Sequence, residues 1–420
     1  MTPSPDRDFS MWTPGLFDLF RILLGIYLAS HFVGLLLWGT ELFSSAGMIA
    51  DAGLSPLYAL VPNIFWLGDS PLFVLLVIAS GVVAAVAMVL KQCDRVAAIW
   101  ILLVLISLFC RNPLIANPGM PYLGWLLLAY TFLPRTPARG EVRPWRAPPA
   151  IFAAAAVVLA ITYSYSGWTK VLSPTWLSGD TLTVVLNNPL ARDWWLRDLF
   201  LLIPSPVLAG VTWFILWVEL LYAPLYLIRR FRFLLWSSML FVQFGFLFLL
   251  NFPDLTIPML LFHLLTFEPR WLNTLKSERP AILLYDGNCG VCHRLIQFTL
   301  KEDLEGHIRF IPLQAEQAGQ FVDNDRIEQL DSMVILEGGK TYLHSDAVIR
   351  WLRHLGGLWP AFGLVLGWFP KPARDLGYRW FGQIRLKLMK APTSLCPILP
   401  PMYRERFDVQ NSLQTNDLAV

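Results

Sequence analysis

The chain has 420 residues, of which 55% are hydrophobic and only 15% are charged. Soluble globular proteins carry about 25% charged residues, so this composition argues against an ordinary soluble enzyme and excludes intrinsic disorder. The five cysteines are too few for a disulfide framework, and the formal net charge of +3 is too small for a nucleic-acid-binding protein.

Long apolar runs occupy the chain up to about residue 270. A helix needs about 20 apolar residues to cross the hydrocarbon layer of a bilayer. We therefore predict a polytopic α-helical membrane domain over 10–270, with about eight crossings, rather than a set of buried core helices. The runs cover 15–39, 71–90, 96–110, 120–134, 150–169, 199–228, 231–251 and 254–267.

Lysine and arginine residues between these runs predict the orientation of the helices. With the N-terminus placed inside, thirteen of them lie in the inner segments and four in the outer loops. Cytoplasmic loops are enriched in these two residue types. The bias predicts a multi-pass protein of a cell membrane, which we interpret as a bacterial inner membrane, with both termini cytoplasmic and with the lipid bilayer as a partner.

Several ionisable residues lie within or beside the apolar runs. An intramembrane charge is costly, so it marks either a functional site or a polar contact between helices. These residues are Arg21, His31, Lys170, Glu219 and His263.

Residues 165–179 close the fifth run with the pattern Gly-x-x-Lys followed by Trp-x-x-Gly. Together with Glu219 in a later run, this stretch resembles the vitamin K-dependent gamma-carboxylase-like (HTTM) membrane family over 10–270. The resemblance implies that Lys170 takes a proton from a reduced quinone, and a lysine among apolar groups gives up its own proton more easily. It therefore implies a quinone cofactor near Lys170 and Glu219.

The sequence departs from that family in three ways. Residues 118–122 lack the histidine of the family's fourth crossing, and Gln243 stands where the family often has histidine. The large lumenal domain that holds glutamate-rich substrates is also missing. Carboxylation is therefore not expected, and the alternative function becomes a quinone- or lipid-handling membrane enzyme centred on Lys170.

After Pro280 the sequence alternates between strand and helix signals, with 15 basic and 15 acidic residues over 281–420. The order strand, CxxC, helix, strand, hairpin, helix is typical of thioredoxin-like domains. We predict a small α/β thioredoxin-like domain over 280–405 and a polar, disordered tail over 406–420. The elements are a strand at 281–285, a helix at 292–300, a strand at 307–313, a hairpin at 332–343 turning at 338–339, and a helix at 345–354 capped by Ser345.

The segment Cys289-Gly-Val-Cys292 lies between the first strand and the first helix of this domain. Cys289 then sits at the helix N-terminus, where unpaired amides favour the reactive thiolate, and Cys292 lies on the same helical face. A CxxC pair can also be inert or form half of a zinc site, but Cys396 and His293 are poorly spaced as further ligands. We predict a redox-active dithiol that needs no cofactor and no metal.

The wider pattern is Tyr285-Asp-Gly-x-Cys-x-x-Cys-His-Arg, followed by Ser345-Asp-Ala-Val and Tyr378-Arg-Trp-Phe-Gly382. It closely resembles the DCC family of thiol-disulfide oxidoreductase-like domains over 280–405. The resemblance implies that Cys289 and Cys292 form the redox pair and that Asp286 is the acid of the motif. We expect Cys289 to attack, Cys292 to resolve the mixed disulfide, and Asp286 to tune the thiol or relay a proton.

The segment 361–390 mixes aromatic and aliphatic residues with lysine and arginine, and Asp375 is its only acid. This composition suits a helix on an anionic cytoplasmic leaflet, or a solvated basic face over an ordinary core.

Three functions follow from these patterns. The first is a membrane-tethered thiol-disulfide oxidoreductase with an unknown thiol or disulfide partner, for which Cys93 and Cys110 are dispensable. The second is the quinone- or lipid-handling enzyme, with a regulatory dithiol. The third is a non-enzymatic membrane redox sensor or scaffold.

Overall fold

The computed structural model describes residues 12–115, 117–137, 141, 145–275, 281–315, 318–319, 333–388 and 401–407. Cys396 and the predicted disordered tail beyond residue 407 lie outside these residues. Contacts divide the chain into two compact units. The helical unit comprises Leu19–Leu133 and Pro148–Phe267, and the sheet unit comprises Met1–Asp18, Pro134–Ala147 and Glu268–Val420.

The helical unit is built from apolar helices joined by connections of varied length. Its first helix begins at Pro14, so the first turn of that helix belongs to the sheet unit. The helices are α1 (Pro14–Phe43), α2 (Pro71–Val89), α3 (Asp94–Arg111), α4 (Met120–Phe132), α5 (Pro149–Val171), α6 (Pro174–Ser178), α7 (Thr181–Leu186), α8 (Trp195–Leu201), α9 (Ser205–Leu220), α10 (Tyr222–Tyr226), α11 (Arg229–Leu249) and α12 (Pro253–Leu265), with 3-10 turns at Ala52–Leu54, Ile64–Leu67 and Pro113–Ile115.

Among the described residues, four helices are long and apolar enough to cross a membrane, namely α1, α2, α5 and α11. A fifth span is obtained if α8 and α9, which meet at a bend of 106°, are counted as one. Several apolar helices of this chain could therefore span a membrane. The predicted number of about eight is not confirmed.

The positions at which the helices end explain why fewer helices of spanning length are found among the described residues than the eight crossings predicted. The apolar run at 199–228 is divided between α8, α9 and α10. Pro204 is the N-cap of α9, and Leu221 lies between the end of α9 and the start of α10. The helices α4 and α12 have 13 residues each. At 1.5 Å per residue they reach about 20 Å, less than the ~30 Å hydrocarbon layer. A hydropathy count does not register where such helices stop.

Large apolar side chains cover the outside of the helical unit. Leu37 is 80% exposed, Val83 70% and Phe241 78%, and each belongs to a helix of spanning length. Charged groups at helix ends bond within the unit instead. The Arg111 guanidinium pairs with Asp69 at 3.0 Å, and the Tyr130 hydroxyl donates to Asp94 at 2.6 Å. An apolar exterior with paired charges inside is the pattern expected of helices in lipid.

The sheet unit has a four-stranded sheet in the order β2-β1-β3-β4 among its described residues. The strand β1 pairs in parallel with β2, β1 pairs antiparallel with β3, and β3 and β4 form an antiparallel hairpin. The elements are β1 (Ala281–Tyr285), α13 (Gly290–Glu302), β2 (Ile308–Pro312), β3 (Val334–Glu337), β4 (Lys340–Leu343), α14 (His344–His354), α15 (Trp359–Trp368) and α16 (Lys371–Leu388), with 3-10 turns at Pro269–Leu275 and Pro401–Arg406.

All five residues of β1 are buried, because both faces of the sheet are covered. On one face Leu283 packs with Ile296 of α13 and Trp351 of α14. On the other face Leu284 belongs to a buried cluster that includes Ala318, from the segment after β2. A continuous apolar strand of this kind is typical of the centre of a sheet.

The predicted element order is present in the sheet unit. The hairpin turns at Gly338 and Gly339, whose φ angles of 55° and 74° lie in the left-handed region that a two-residue hairpin turn requires. The predicted cap of α14 is wrong. Leu343 is the N-cap, and its apolar side chain makes no cap bond. Ser345 lies inside the helix, where its amide and hydroxyl donate hydrogen bonds to Asp375 of α16.

Glu302, the last residue of α13, is buried and ties three segments of the sheet unit together. Its carboxylate accepts a hydrogen bond from the Gly15 amide at 2.8 Å and one from the Trp359 indole at 2.7 Å. Gly15 lies in the first turn of α1, where amides have no partner within the helix. Burial raises the pKa of Glu302, and these hydrogen bonds oppose the shift.

We expect Glu302→Ala to destabilise the protein by about 2–5 kcal/mol, because the substitution leaves two half-buried donors, the Gly15 amide and the Trp359 indole, without an acceptor. Thermal unfolding of the full chain, followed by tryptophan fluorescence, measures the loss. Glu305→Ala, at an exposed position three residues away, is the matched control and should shift stability by no more than ~0.5 kcal/mol. Equal shifts for the two variants would show that Glu302 does not hold these segments.

Candidate functional site

The two cysteines of the CxxC segment stand at the start of α13, directly after the turn that ends β1. Cys289 is the N-cap residue of α13, and its sulfur accepts a hydrogen bond from the Cys292 amide at 3.3 Å. The predicted place of Cys289 at a helix N-terminus is therefore confirmed. A thiolate at this position gains from the free amides and from the helix dipole.

The turn before the cysteines is fixed by side chains. Asp286 accepts hydrogen bonds from the Asn288 amide and from the Gln314 side chain, both at 2.9 Å. Gln314 in turn accepts a hydrogen bond from the Gly287 amide at 2.9 Å. The acid of the motif thus holds the turn that places Cys289. Gln314 was missed by sequence reasoning, because nothing local to it signals a contact 28 residues away.

His293 follows the dithiol and is buried. Its Nε2 lies 2.9 Å from the Gly287 carbonyl oxygen, and its ring packs edge-on against Tyr285. The described residues contain no group of three or more histidine, cysteine, aspartate or glutamate residues that could hold a metal ion.

The two sulfurs differ in access. The Cys289 residue is only 1% exposed, whereas Cys292 is half-buried. Cys292 also lines a cavity of about 460 Å³ within the sheet unit. Apolar side chains from α13, α14 and α16 form most of its wall, and they include Leu295, Trp351 and Phe381. A partly open apolar cleft with a cysteine in its wall can hold an apolar molecule beside that residue.

Comparisons with known proteins match this part of the chain. The family described as DCC1-like thiol-disulfide oxidoreductase matches residues 283–391. Uncharacterized protein YuxK of Bacillus subtilis (strain 168) is 34% identical over 128 residues, which are 30% of this chain and 92% of that protein. The chain belongs to the DCC1-like thiol-disulfide oxidoreductase family. The resemblance that the sequence motifs predict is confirmed for the C-terminal domain.

A second relative gives the same result over a shorter stretch. DCC family protein At1g52590, chloroplastic, of Arabidopsis thaliana is 28% identical over 105 residues. These residues are 24% of this chain and 61% of that protein, so the chain spans less than two thirds of its length. No solved structure matches the chain. The matches fall on the C-terminal domain, and the HTTM resemblance of the N-terminal region stays a prediction.

Within the helical unit, the structure brings Lys170 and Glu219 together. The Lys170 ammonium lies 2.5 Å from the Glu219 carboxylate and 2.6 Å from the Ser166 hydroxyl, and 4.9 Å from the centre of the Trp176 ring. Gly167 makes this approach possible, because a Cβ atom there would lie 2.2 Å from the Leu220 amide nitrogen. The glycine of the Gly-x-x-Lys pattern therefore lets α5 touch α9.

The other ionisable residues of the apolar runs also bond within the helical unit. Arg21 donates to the Val89 carbonyl at 2.7 Å, and the His31 ring nitrogen Nδ1 lies 3.1 Å from Asp254. His263 Nδ1 lies 2.9 Å from the Met259 carbonyl oxygen. These contacts join neighbouring helices or turns.

Proposed function

We propose that this protein is a membrane-bound thiol-disulfide oxidoreductase whose Cys289–Cys292 dithiol exchanges electrons with thiols or disulfides at the cytoplasmic face. One observation carries the proposal. In a domain of the DCC1-like family, the Cys289 sulfur caps α13 and accepts the Cys292 amide at 3.3 Å. The helical unit, with several helices that could span a membrane, supports the membrane attachment. The charge bias of the loops supports the orientation.

The proposed reaction moves two electrons. One sulfur of the dithiol, as thiolate, attacks a disulfide of the partner, so that a mixed disulfide forms and one partner thiolate leaves and takes up a proton. The second sulfur then attacks the first, and the other partner thiolate leaves. The protein ends with a Cys289–Cys292 disulfide and the partner ends reduced. The reverse sequence oxidises a partner dithiol.

Asp286 has a defined place in this proposal. Its carboxylate holds the turn through Asn288 and Gln314, and so fixes Cys289 at the start of α13. We assign it a positioning role, together with tuning of the nearby thiol. The reaction itself needs no cofactor, because the dithiol carries both electrons.

The lipid bilayer is a proposed partner of α15 and α16 as well. Trp368 is 84% exposed at the end of α15, and Trp380 of α16 is 64% exposed. Lys371 and Arg374 lie on the same helix as Trp380, and both pair with Asp346 of α14. Exposed indoles beside basic residues suit the headgroup layer of an anionic membrane.

We expect Cys289→Ser and Cys292→Ser each to lower catalysed exchange by at least about 100-fold, because a complete turnover needs both sulfurs and either variant stops at the mixed disulfide. The assay follows the reduction of bis(2-hydroxyethyl) disulfide by dithiothreitol with the full chain in lipid nanodiscs. Cys93→Ser, at an exposed cysteine of the helical unit, is the control and should keep the wild-type rate. Wild-type activity in both CxxC variants would refute the proposed function.

A second candidate function has its own support. The Lys170–Glu219 pair lies among helices of the region for which the sequence predicts a resemblance to the HTTM family, and the Ser166 hydroxyl and the Trp176 ring lie beside it. We propose that this pair marks a site for a quinone-like or lipid molecule. A mobile apolar carrier of two electrons would also connect a site in the membrane with the dithiol.

We expect protein extracted under gentle conditions to retain a quinone-like or lipid molecule, and Lys170→Ala to release it because the ammonium group is lost. Mass spectrometry of the extracted full chain measures the bound molecule, and thiol exchange by the same variant should be unchanged. Arg197→Ala removes a charge that pairs with the exposed Asp193 elsewhere in the helical unit and serves as the control. A wild-type protein without any bound molecule would leave the helical unit as an anchor.

A further inference from the structure

The cavity of about 460 Å³ beside Cys292 has no part in thiol exchange as described so far. Its volume lies within the range of small-molecule sites, roughly 300–1,000 Å³. A protein substrate that exchanges at a flat surface does not need such a space. The cavity therefore indicates which kind of molecule reacts with the dithiol.

Most polar side-chain groups in the cavity wall are already bonded to the protein, although the Arg374 Nε is buried without a hydrogen-bond partner. The Ser345 hydroxyl donates to Asp375, the Tyr378 hydroxyl oxygen accepts the Met333 amide at 3.0 Å, and the Arg374 guanidinium pairs with Asp346 at 2.8 Å. The rest of the wall is mainly aliphatic and aromatic. Beyond that one N–H group, a polar or charged ligand group would lose its water here without gaining comparable bonds from the described side chains, whereas an apolar group gains from burial.

The position of the cavity also determines which of the two cysteines a bound molecule can reach. Cys292 lines the cavity, whereas Cys289 is 1% exposed and its sulfur faces the Cys292 amide. A thiol and a disulfide exchange only when their sulfur atoms touch. A molecule in the cavity therefore reaches the sulfur of Cys292.

We propose that the cavity is the binding site for a small disulfide with apolar substituents, and that its sulfur bonds to Cys292. This inference rests on the proposed dithiol function and names its substrate class. The Cys292 thiolate attacks the bound disulfide, its S–S bond breaks, and one substrate thiolate leaves and is protonated. The Cys289 thiolate, stabilised at the start of α13, then attacks the Cys292 sulfur and releases the second substrate thiolate. The substrate gains two electrons, and the protein dithiol becomes a disulfide.

Two glycines in the wall allow the cavity to be filled without crowding the backbone. Gly377 and Gly382 of α16 both line the cavity, and a Cβ atom at either position meets nothing within 4 Å. Gly367 of α15 has the same open surroundings but does not line it. Glycine-to-leucine substitution favours a helix at all three positions, so Gly367→Leu is a matched control for Gly382→Leu and Gly377→Leu.

The probes are dipropyl disulfide and bis(2-hydroxyethyl) disulfide, which have the same chain length and differ in a terminal methyl or hydroxyl group. Reduced full chain in lipid nanodiscs reacts once with each, and each rate is divided by the rate of the same probe with dithiothreitol. We expect wild-type protein to prefer the dipropyl compound about tenfold. Gly382→Leu and Gly377→Leu should slow that compound about tenfold and the hydroxyethyl compound less than about twofold. Gly367→Leu should change neither rate.

The outcomes separate this inference from the function on which it rests. If the cavity variants slow both probes equally or neither, while exchange continues, the cavity is not the substrate site and the dithiol function stands. If wild-type protein reacts with neither probe faster than dithiothreitol does, the dithiol function itself fails.

The position of the mixed disulfide is tested separately by trapping. With dipropyl disulfide, Cys289→Ser should retain a propylthio group on Cys292, which peptide mass spectrometry locates. A stable propylthio group on Cys289 in Cys292→Ser, with none on Cys292 in Cys289→Ser, would overturn the assignment. That result would restore the order expected from the sequence, in which Cys289 attacks first.

Discussion

The helix α13 needs an acceptor for the amides of its first turn, and a sulfur atom supplies it. Helices more often begin with a serine, threonine, aspartate or asparagine side chain in this position. Here the Cys289 sulfur accepts the Cys292 amide at 3.3 Å, so the group that caps the helix is also half of the dithiol. A negative sulfur is a better acceptor than a neutral thiol, and the structure of the turn therefore favours the reactive form.

Everything around this contact keeps the cap in place. The buried strand β1 ends at Tyr285, one residue before the turn, and Asp286 and Gln314 tie the turn to the chain that follows β2. At its other end, α13 finishes with Glu302, which bonds to Gly15 and Trp359. The helix is thus fixed at both ends, so thiol chemistry at its start does not require the fold to rearrange.

The sequence predicts the position of the CxxC segment at the start of α13, because the information is local. A strand, a tight turn, two cysteines three residues apart and a helical run lie within about twenty consecutive residues, and their order alone implies the geometry. The cavity is different. Its wall joins Leu295 of α13, Trp351 of α14 and Phe381 of α16, and no local pattern shows that these residues meet.

Long-range contacts also explain what sequence reasoning missed elsewhere. The Gly15–Glu302 hydrogen bond joins residues 287 positions apart, and the true partner of Ser345 is Asp375, 30 residues later. For the apolar runs, hydropathy indicates where helices are apolar but not where prolines and turns end them. The helices with 13 residues are examples.

We propose that Cys289 and Cys292 form one redox couple. It is tested most directly by equilibrating the full chain in buffers of oxidised and reduced dithiothreitol, then labelling free thiols and locating the labels by mass spectrometry. We expect the labels on Cys289 and Cys292 to disappear together along one two-electron curve. Labels that disappear at different potentials, or that persist at every ratio, would contradict it.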